Sequence, residues 1–234
     1  ARLTAALVAS AALLSPLLEP LGIHCEAHVG AIGSVEAASM ENCPPRWEND
    51  DCKEMRCRDP VAASKMIETV EHHRMNRNSI GSRVDLQVSG VPLGLGEPWF
   101  DGIEPALARA MMSIPAARGV VFGRGFNVVK MTGVEHNDAW GGSSEHPMLV
   151  GEKPDGVIAG RSTGSPIHVS VAFKPPSSIA SEQHTLNLAS GTIEPLVVGG
   201  RHDPVLGPRA VAVVEAMAKI ILSDLALRGG FLDA

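Results

Sequence analysis

The chain has 234 residues, a formal charge of −6, 44% hydrophobic and 20% charged residues, and a mean hydropathy near zero, which places it among folded globular proteins rather than disordered ones. Its acidic balance argues against a nucleic-acid partner, which needs a basic stripe. A small anionic ligand stays open, because local arginines and backbone amides decide that.

Thr4 to Leu18 reads as a helix from its alanine and leucine content, closing near Pro16 to Pro20. Arg2, Ser10, Ser15 and Pro16 interrupt its apolar character, so a buried core helix fits better than a signal or membrane segment, and no membrane partner is expected. Ile23 to Ile32 reads as a strand. Ile23, Cys25, Ala27 and Val29 lie on one side, with His24, Glu26 and His28 on the other, where both histidines are expected at the surface. Asn42 to Asp59 shows no clear period and is expected to be a loop.

Asp59-Pro60 supplies a cap and a first-turn proline for the next helix. Ala63, Ile67, Val70 and the stem of Arg74 form its inner face, while Lys65, Glu68 and Glu71 face water. Val84, Leu86 and Val88 alternate with Arg83, Asp85 and Gln87, the mark of a half-buried strand. Gly90 to Gly96 is a loop, and Ile103 to Met112 is a helix with Ile103, Leu107, Ala110 and Met111 near one face.

Val120 to Phe122 and Phe126 to Val129 read as short strands joined through Gly123 and Gly125. The polar, glycine-rich region from there to Gly164 is long enough for a lid or a ligand loop. Ile167, Val169 and Val171 define another strand, and Arg209 to Leu227 a helix with a broad apolar stripe from Val211 to Leu225. Half-buried strands and separate helices make the fold α+β with antiparallel sheet favoured. No linker-like run divides the chain, so one domain over residues 1–234 is expected.

Cys43, Cys52 and Cys57, with His72 or His73, are numerous enough for zinc. Their separations of nine and five residues match no tight metal knuckle, so free thiols in a reducing cytoplasm are expected. His72 and His73 sit in a charged helical turn and read as surface residues. The sequence holds no GxxxxGK[ST], GxGxxG or HExxH motif, which weakens nucleotide, dinucleotide and zinc-protease readings.

Two segments carry chemistry that suits an anion. Lys174-Pro175-Pro176-Ser177-Ser178, at a strand end, offers a cation, two hydroxyls and backbone amides held by two prolines. The same residues would also make an ordinary turn. Arg201-His202-Asp203 precedes the last helix; there Arg201 could hold phosphate and Asp203 could take a proton. The competing reading is an ion pair that orders a loop. Asn137-Asp138 with Trp140 to Ser144 reads either as a patch that closes on a ligand or as a solvated loop.

Gly200-Arg201-His202-Asp203-Pro204-Val205, continuing through Gly207, Arg209-Ala210-Val211 and Glu215-Ala216-Met217, resembles the C-terminal signature of chorismate synthase. Arg56-Cys57-Arg58-Asp59-Pro60, Gly94-Leu95-Gly96-Glu97-Pro98, Ser113 to Gly119, Gly125-Phe126 and Lys174 to Ile179 are similar to family segments and keep the family order. The resemblance implies a sandwich of central helices between antiparallel β-sheets and a homotetramer. It also implies an anti 1,4-elimination of phosphate from 5-enolpyruvylshikimate 3-phosphate, giving chorismate with reduced FMN and no net redox change. By the same resemblance, Lys174, Pro175, Pro176, Ser177, Ser178 and Arg201 contact the cofactor and Asp203 is catalytic. The reductant of the flavin is left open, an NADPH-dependent reductase being one source.

The chain departs from the family where Pro176 replaces threonine and Val205 replaces cysteine. It also departs at Glu152-Lys153-Pro154-Asp155-Gly156, which keeps little of an Asn-Asn-Ala-Gly-Gly-like cofactor stretch. Ala1-Arg2-Leu3-Thr4 resembles the tail of the family's Ser-Ala-Arg-x-Thr motif. The resemblance thus places roughly the first third of a family member, with its Gly-Glu-Ser-His-Gly motif, upstream, and makes residues 1–234 a partial chorismate synthase domain. The alternatives are an inactive FMN- or phosphate-binding remnant and a structural oligomerisation protein.

Overall fold

The computed structural model describes residues 2–145, 147–150 and 155–232. In chain order the elements are α1 (Arg2–Leu18), β1 (His24–Ile32), β2 (Val35–Glu36), α2 (Asp50–Met55), α3 (Pro60–Met75) and β3 (Ser82–Ser89). Then come α4 (Ile103–Met112), β4 (Ala117–Phe122), α5 (Gly133–His136), β5 (Trp140–Gly142), β6 (Pro147–Leu149), β7 (Val157–Ile158) and β8 (Arg161–Ser162). The chain closes with β9 (Ile167–Phe173), β10 (Gln183–Asn187), β11 (Thr192–Leu196) and α6 (Gly207–Arg228). Strands β2, β1, β3, β9 and β4 hydrogen-bond in that order in a five-stranded sheet, and β5–β6, β7–β8 and β10–β11 are antiparallel hairpins. The mixture is α+β, as the alternating strands and separate helices require.

Two compact units are formed from interleaved segments. The first comprises Ala1–His28, Val84–Ala172 and Ala210–Ala234; the second comprises Val29–Arg83 and Phe173–Arg209. In the first unit α6 buries Val211, Val214, Met217, Ala218, Leu222 and Leu225, the stripe its period dictates. Glu215 on the same helix accepts the Ala27 backbone N–H at 2.8 Å. Helix α4 buries Ile103, Leu107, Ala110 and Met111, again the expected face. Gly90, at φ +73°, lies so close to Gly22 that an added Cβ would stand 1.8 Å from the Gly22 carbonyl oxygen, a contact only glycine permits.

Several elements differ from the sequence reading. Helix α1 is a helix but not a buried one: Ala11 and Leu18 are covered, while Leu3 and Leu13 are more than 80% exposed. With its extension, Leu3–Leu21 is long and apolar enough to cross a membrane by length and composition. His28 is fully buried, not at the surface, because β1 is covered on both faces from Ala27 onward and the inside-outside alternation stops there. Phe126 to Val129 is a 3-10 segment, Gly125–Lys130, rather than a strand. Gly123 and Gly125 take positive φ and turn the chain out of β4, leaving Phe126 and Val129 exposed.

The region from 130 to 164 carries short ordered elements. Thr132 and Glu135 form a reciprocal cap on α5. Hairpin β7–β8 is pinned to the 92–96 loop: Leu95 N–H donates to Ser162 Oγ at 3.0 Å, and Ser162 N–H to the Leu95 carbonyl at 2.8 Å.

In the second unit the expected 42–59 loop contains α2. Asn49 caps it by accepting the Cys52 N–H at 2.8 Å, and Arg56 closes it in the left-handed region. Six residues are too few to display a helical period. Asp59 caps α3, its Oδ1 accepting from Val61 and Ala62 at 3.0 Å each, while Oδ2 accepts the Ala38 N–H at 3.0 Å. The inner face of α3 is Ala62, Ala63, Met66 and Val70; Met66 rather than Ile67 takes the deepest place. Arg74 stays exposed in an ion pair with Glu71.

Candidate functional site

Strand β9 delivers the Lys174 to Ser178 turn, and residues 79–81 hold that turn in place. Ser79 Oγ–H donates to the Pro176 carbonyl at 2.6 Å. Gly81 packs under the turn, where an added Cβ would lie 3.2 Å from the Phe173 carbonyl oxygen and 3.6 Å from Pro175 Cδ. The next residue back, Ile80, donates its N–H to the Pro204 carbonyl at 2.8 Å. Thus one short run fixes both the turn after β9 and the segment before α6.

These two segments meet directly. Ser178 Oγ lies 2.8 Å from His202 Nδ1, and His202 Nε2 lies 2.9 Å from the Val198 carbonyl oxygen. A carbonyl only accepts, so a neutral His202 carries its proton on Nε2, and Nδ1 accepts the Ser178 hydroxyl proton. Asp203 is gripped at Oδ2 by Arg209 at 2.5 Å. This is the ion pair of the competing sequence reading, formed with Arg209 rather than with Arg201. Oδ1 has no hydrogen-bond partner among the described residues.

A cavity of about 170 Å³ opens beside them, lined by Ser178, His202 and Asp203 together with Arg74, Arg77 and Asn78. The structure therefore brings Ser178 and Asp203 to one place. Lys174, Pro175, Pro176 and Ser177 belong to the same turn but do not line the cavity, and Arg201 is exposed beside it in sequence without lining it. Nothing in the sequence marks Arg74, Arg77 or Asn78 as site residues. They come from the end of α3 and the turn after it, about a hundred residues from their cavity neighbours, and no local spacing reports such a meeting.

The other sequence candidates lie elsewhere. Asn137 caps α5, and Trp140 sits half-exposed in β5. Within the weakly kept cofactor stretch, Asp155 pairs with His136 at 3.2 Å; Glu152, Lys153 and Pro154 lie outside the described residues. All four cysteines are free, and among the described residues no cluster of three or more His, Cys, Asp or Glu side chains is arranged to hold a metal.

Residues 1–227 match the family model for chorismate synthase. Among curated relatives, chorismate synthase of Methanosarcina mazei is 39% identical over 233 residues, which is all of this chain and 64% of the relative. That of Aeropyrum pernix is 43% identical over 231 residues, 97% of this chain and 60% of the relative. A crystal structure of chorismate synthase matches with a TM-score of 0.74 at 25% identity, covering 97% of this chain and 63% of that one. The chain thus spans less than two thirds of the length of these relatives. The structural match carries the expected fold class, with helices flanked by antiparallel sheets. By sequence along nearly its whole length and by fold, the chain belongs to the chorismate synthase family.

Proposed function

We propose that this chain carries part of a chorismate synthase active site, the part that holds reduced FMN and takes a proton from 5-enolpyruvylshikimate 3-phosphate. The observation that carries the reading is the junction of Ser178 with His202, which sets the cation- and hydroxyl-bearing turn beside a carboxylate with one oxygen left open. The donor set fits the phosphate end of FMN. Lys174 and Arg201 are exposed cations with no ion-pair partner among the described residues, and Ser177 is an exposed hydroxyl in the same turn as Lys174. Charge-assisted hydrogen bonds of this kind suit a phosphate dianion. Pro176, standing where the family has threonine, removes one hydroxyl donor, and Ser177 and Ser178 remain to supply the turn's hydroxyls.

When bound, reduced FMN supplies electron density that assists cleavage of the carbon–oxygen bond without net redox change. The residues of the chain do the rest. Lys174, Ser177 and Arg201 hold the anion and fix its register. Arg209 orients Asp203 through Oδ2, leaving Oδ1 to receive the departing proton. In the balanced elimination the C6–H electron pair becomes part of the new diene, the C3–O bond breaks, and inorganic phosphate leaves with that bonding pair. We further propose that the complete protein is a cytoplasmic homotetramer.

The test is chorismate formation under anaerobic conditions with reduced FMN. Asp203→Asn is expected to lower turnover by at least about a hundredfold while FMN affinity changes little. Equal loss of affinity and turnover would make Asp203 architectural. Flavin binding with no turnover in the unmodified chain would favour the remnant, and absence of both would favour a structural protein.

A further inference from the structure

We propose that Arg77 is the ligand-binding cation of the cavity beside Ser178 and His202, and that it takes a phosphomonoester group. The proposal rests on the reading of this turn as the ligand site and adds a residue that the family resemblance does not supply. The charge balance and the size of the cavity point to it, on a backbone that is firmly held. Arg77 is a non-glycine residue at φ +52°, in the left-handed region that side chains rarely adopt. That conformation is fixed from several directions. The Arg77 N–H donates to Arg74 O at 3.0 Å and the Asn78 N–H to His73 O at 2.9 Å. The Arg77 carbonyl accepts from Ser181 N–H at 3.1 Å and Ser181 Oγ at 2.8 Å. The first two hydrogen bonds are the pair that closes a helix C-terminus on a left-handed residue, here Arg77 after α3, and they fix the backbone from which its side chain leaves.

The charge balance of the cavity singles out the same side chain. Arg74 is neutralised by Glu71, which accepts from both Nε and Nη2 of the guanidinium. Asp203 is neutralised by Arg209. Arg77 has no ion-pair partner among the described residues, so it is the arginine of the cavity lining whose charge no carboxylate among them offsets. At about 170 Å³ the space is smaller than sites that enclose a whole drug-sized molecule, roughly 300 Å³ and above, and suits a single anionic group. Asn78 on the same rim provides amide donors, and guanidinium with amide is a recurring combination for phosphate oxygens.

The phosphate could be that of the flavin or that of the substrate, and titration of the full chain separates them. The probes are inorganic phosphate, FMN, riboflavin and 5-enolpyruvylshikimate 3-phosphate, measured against the unmodified chain, Arg77→Lys and Arg77→Gly. We expect Arg77→Gly to weaken inorganic phosphate by about tenfold or more, with Arg77→Lys between, because an ammonium lacks the planar fork. Its thermal midpoint should rise, since glycine adopts this φ without strain. That separates lost binding from lost folding.

Weakened FMN with unchanged riboflavin assigns the flavin phosphate to Arg77; weakened substrate with unchanged FMN assigns the substrate phosphate. Either supports the proposal. Arg77-dependent phosphate binding without FMN binding would sink the proposed function and leave Arg77 in its role. Unchanged affinity of Arg77→Gly for all three phosphate-bearing probes would overturn the role of Arg77 and leave the enzyme reading standing. Failure of the unmodified chain to bind any of them would overturn it as well.

Discussion

Ser178 and His202 are joined by a 2.8 Å hydrogen bond, and the second imidazole nitrogen is spent on the Val198 carbonyl. With the imidazole neutral, the geometry fixes the tautomer and points the serine proton at the ring. Long-range ¹⁵N–¹H correlation spectra should therefore show His202 protonated at Nε2. Ser178→Ala should shift the Nδ1 resonance and lower stability by no more than about 1 kcal/mol, since the pair is partly exposed. An Nδ1–H tautomer in the neutral form would contradict the arrangement.

Asp59 works in two directions. One carboxylate oxygen caps α3 and the other holds the Ala38 N–H. Asp59→Ala should cost about 1–2 kcal/mol in urea unfolding. Asp59→Asn, which keeps a capping oxygen but loses the second acceptor, should cost less. Equal losses would mean that the cap contributes little.

Burial pushes the Cys25 and Cys57 thiols up from 9.0 to about 12. A thiol whose proton is held more tightly in the folded chain stabilises that chain below the unfolded value. The contribution is lost as pH rises from 9 toward 12. The urea midpoint should fall over that interval, and less steeply in Cys25→Ala. At pH 8 a maleimide should modify the partly exposed Cys43 first, whereas Cys25, Cys52 and Cys57 should react only on unfolding. Rapid modification of Cys25 in the native chain would contradict the burial described.

Glu104 on α4 is held above the usual carboxylate range, mainly by burial and then by the negative charge of Asp155. The sign is opposite to that of a salt-bridged acid: the folded chain favours the protonated form, so stability is lost as pH rises through the carboxylate range. Glu104→Gln should raise the thermal midpoint at pH 7, by an amount that partial solvent exposure keeps small. The gain should vanish near pH 4. A midpoint gain independent of pH would assign the effect to packing.

The elements legible in sequence are those whose surroundings impose one periodicity. In β3, Ser82, Val84, Leu86 and Val88 are buried and their neighbours are not, so alternation reports the strand directly. The long apolar stripe of α6 does the same at helical spacing. Where both faces share one environment the signal disappears. His28 escapes the alternation because both sides of β1 are covered there. The β10–β11 hairpin gave no signal because both its strands are largely exposed, and Pro195 lies inside β11. The turn and the pre-helix segment of the site stood out by composition. Their cavity did not, since Arg77 reaches it only through the fold, and its left-handed backbone leaves no mark in a sequence that offers arginine where glycine would be expected.

In the proposed function the turn after β9 and the segment before α6 form one anion site for a flavin phosphate. The most direct measurement is an anaerobic fluorescence titration of the chain with reduced FMN and, in parallel, with reduced riboflavin, repeated on Lys174→Ala and Arg201→Ala. Each substitution should weaken FMN by about tenfold or more and leave riboflavin unchanged. Equal affinity of the unmodified chain and both variants for FMN would contradict it.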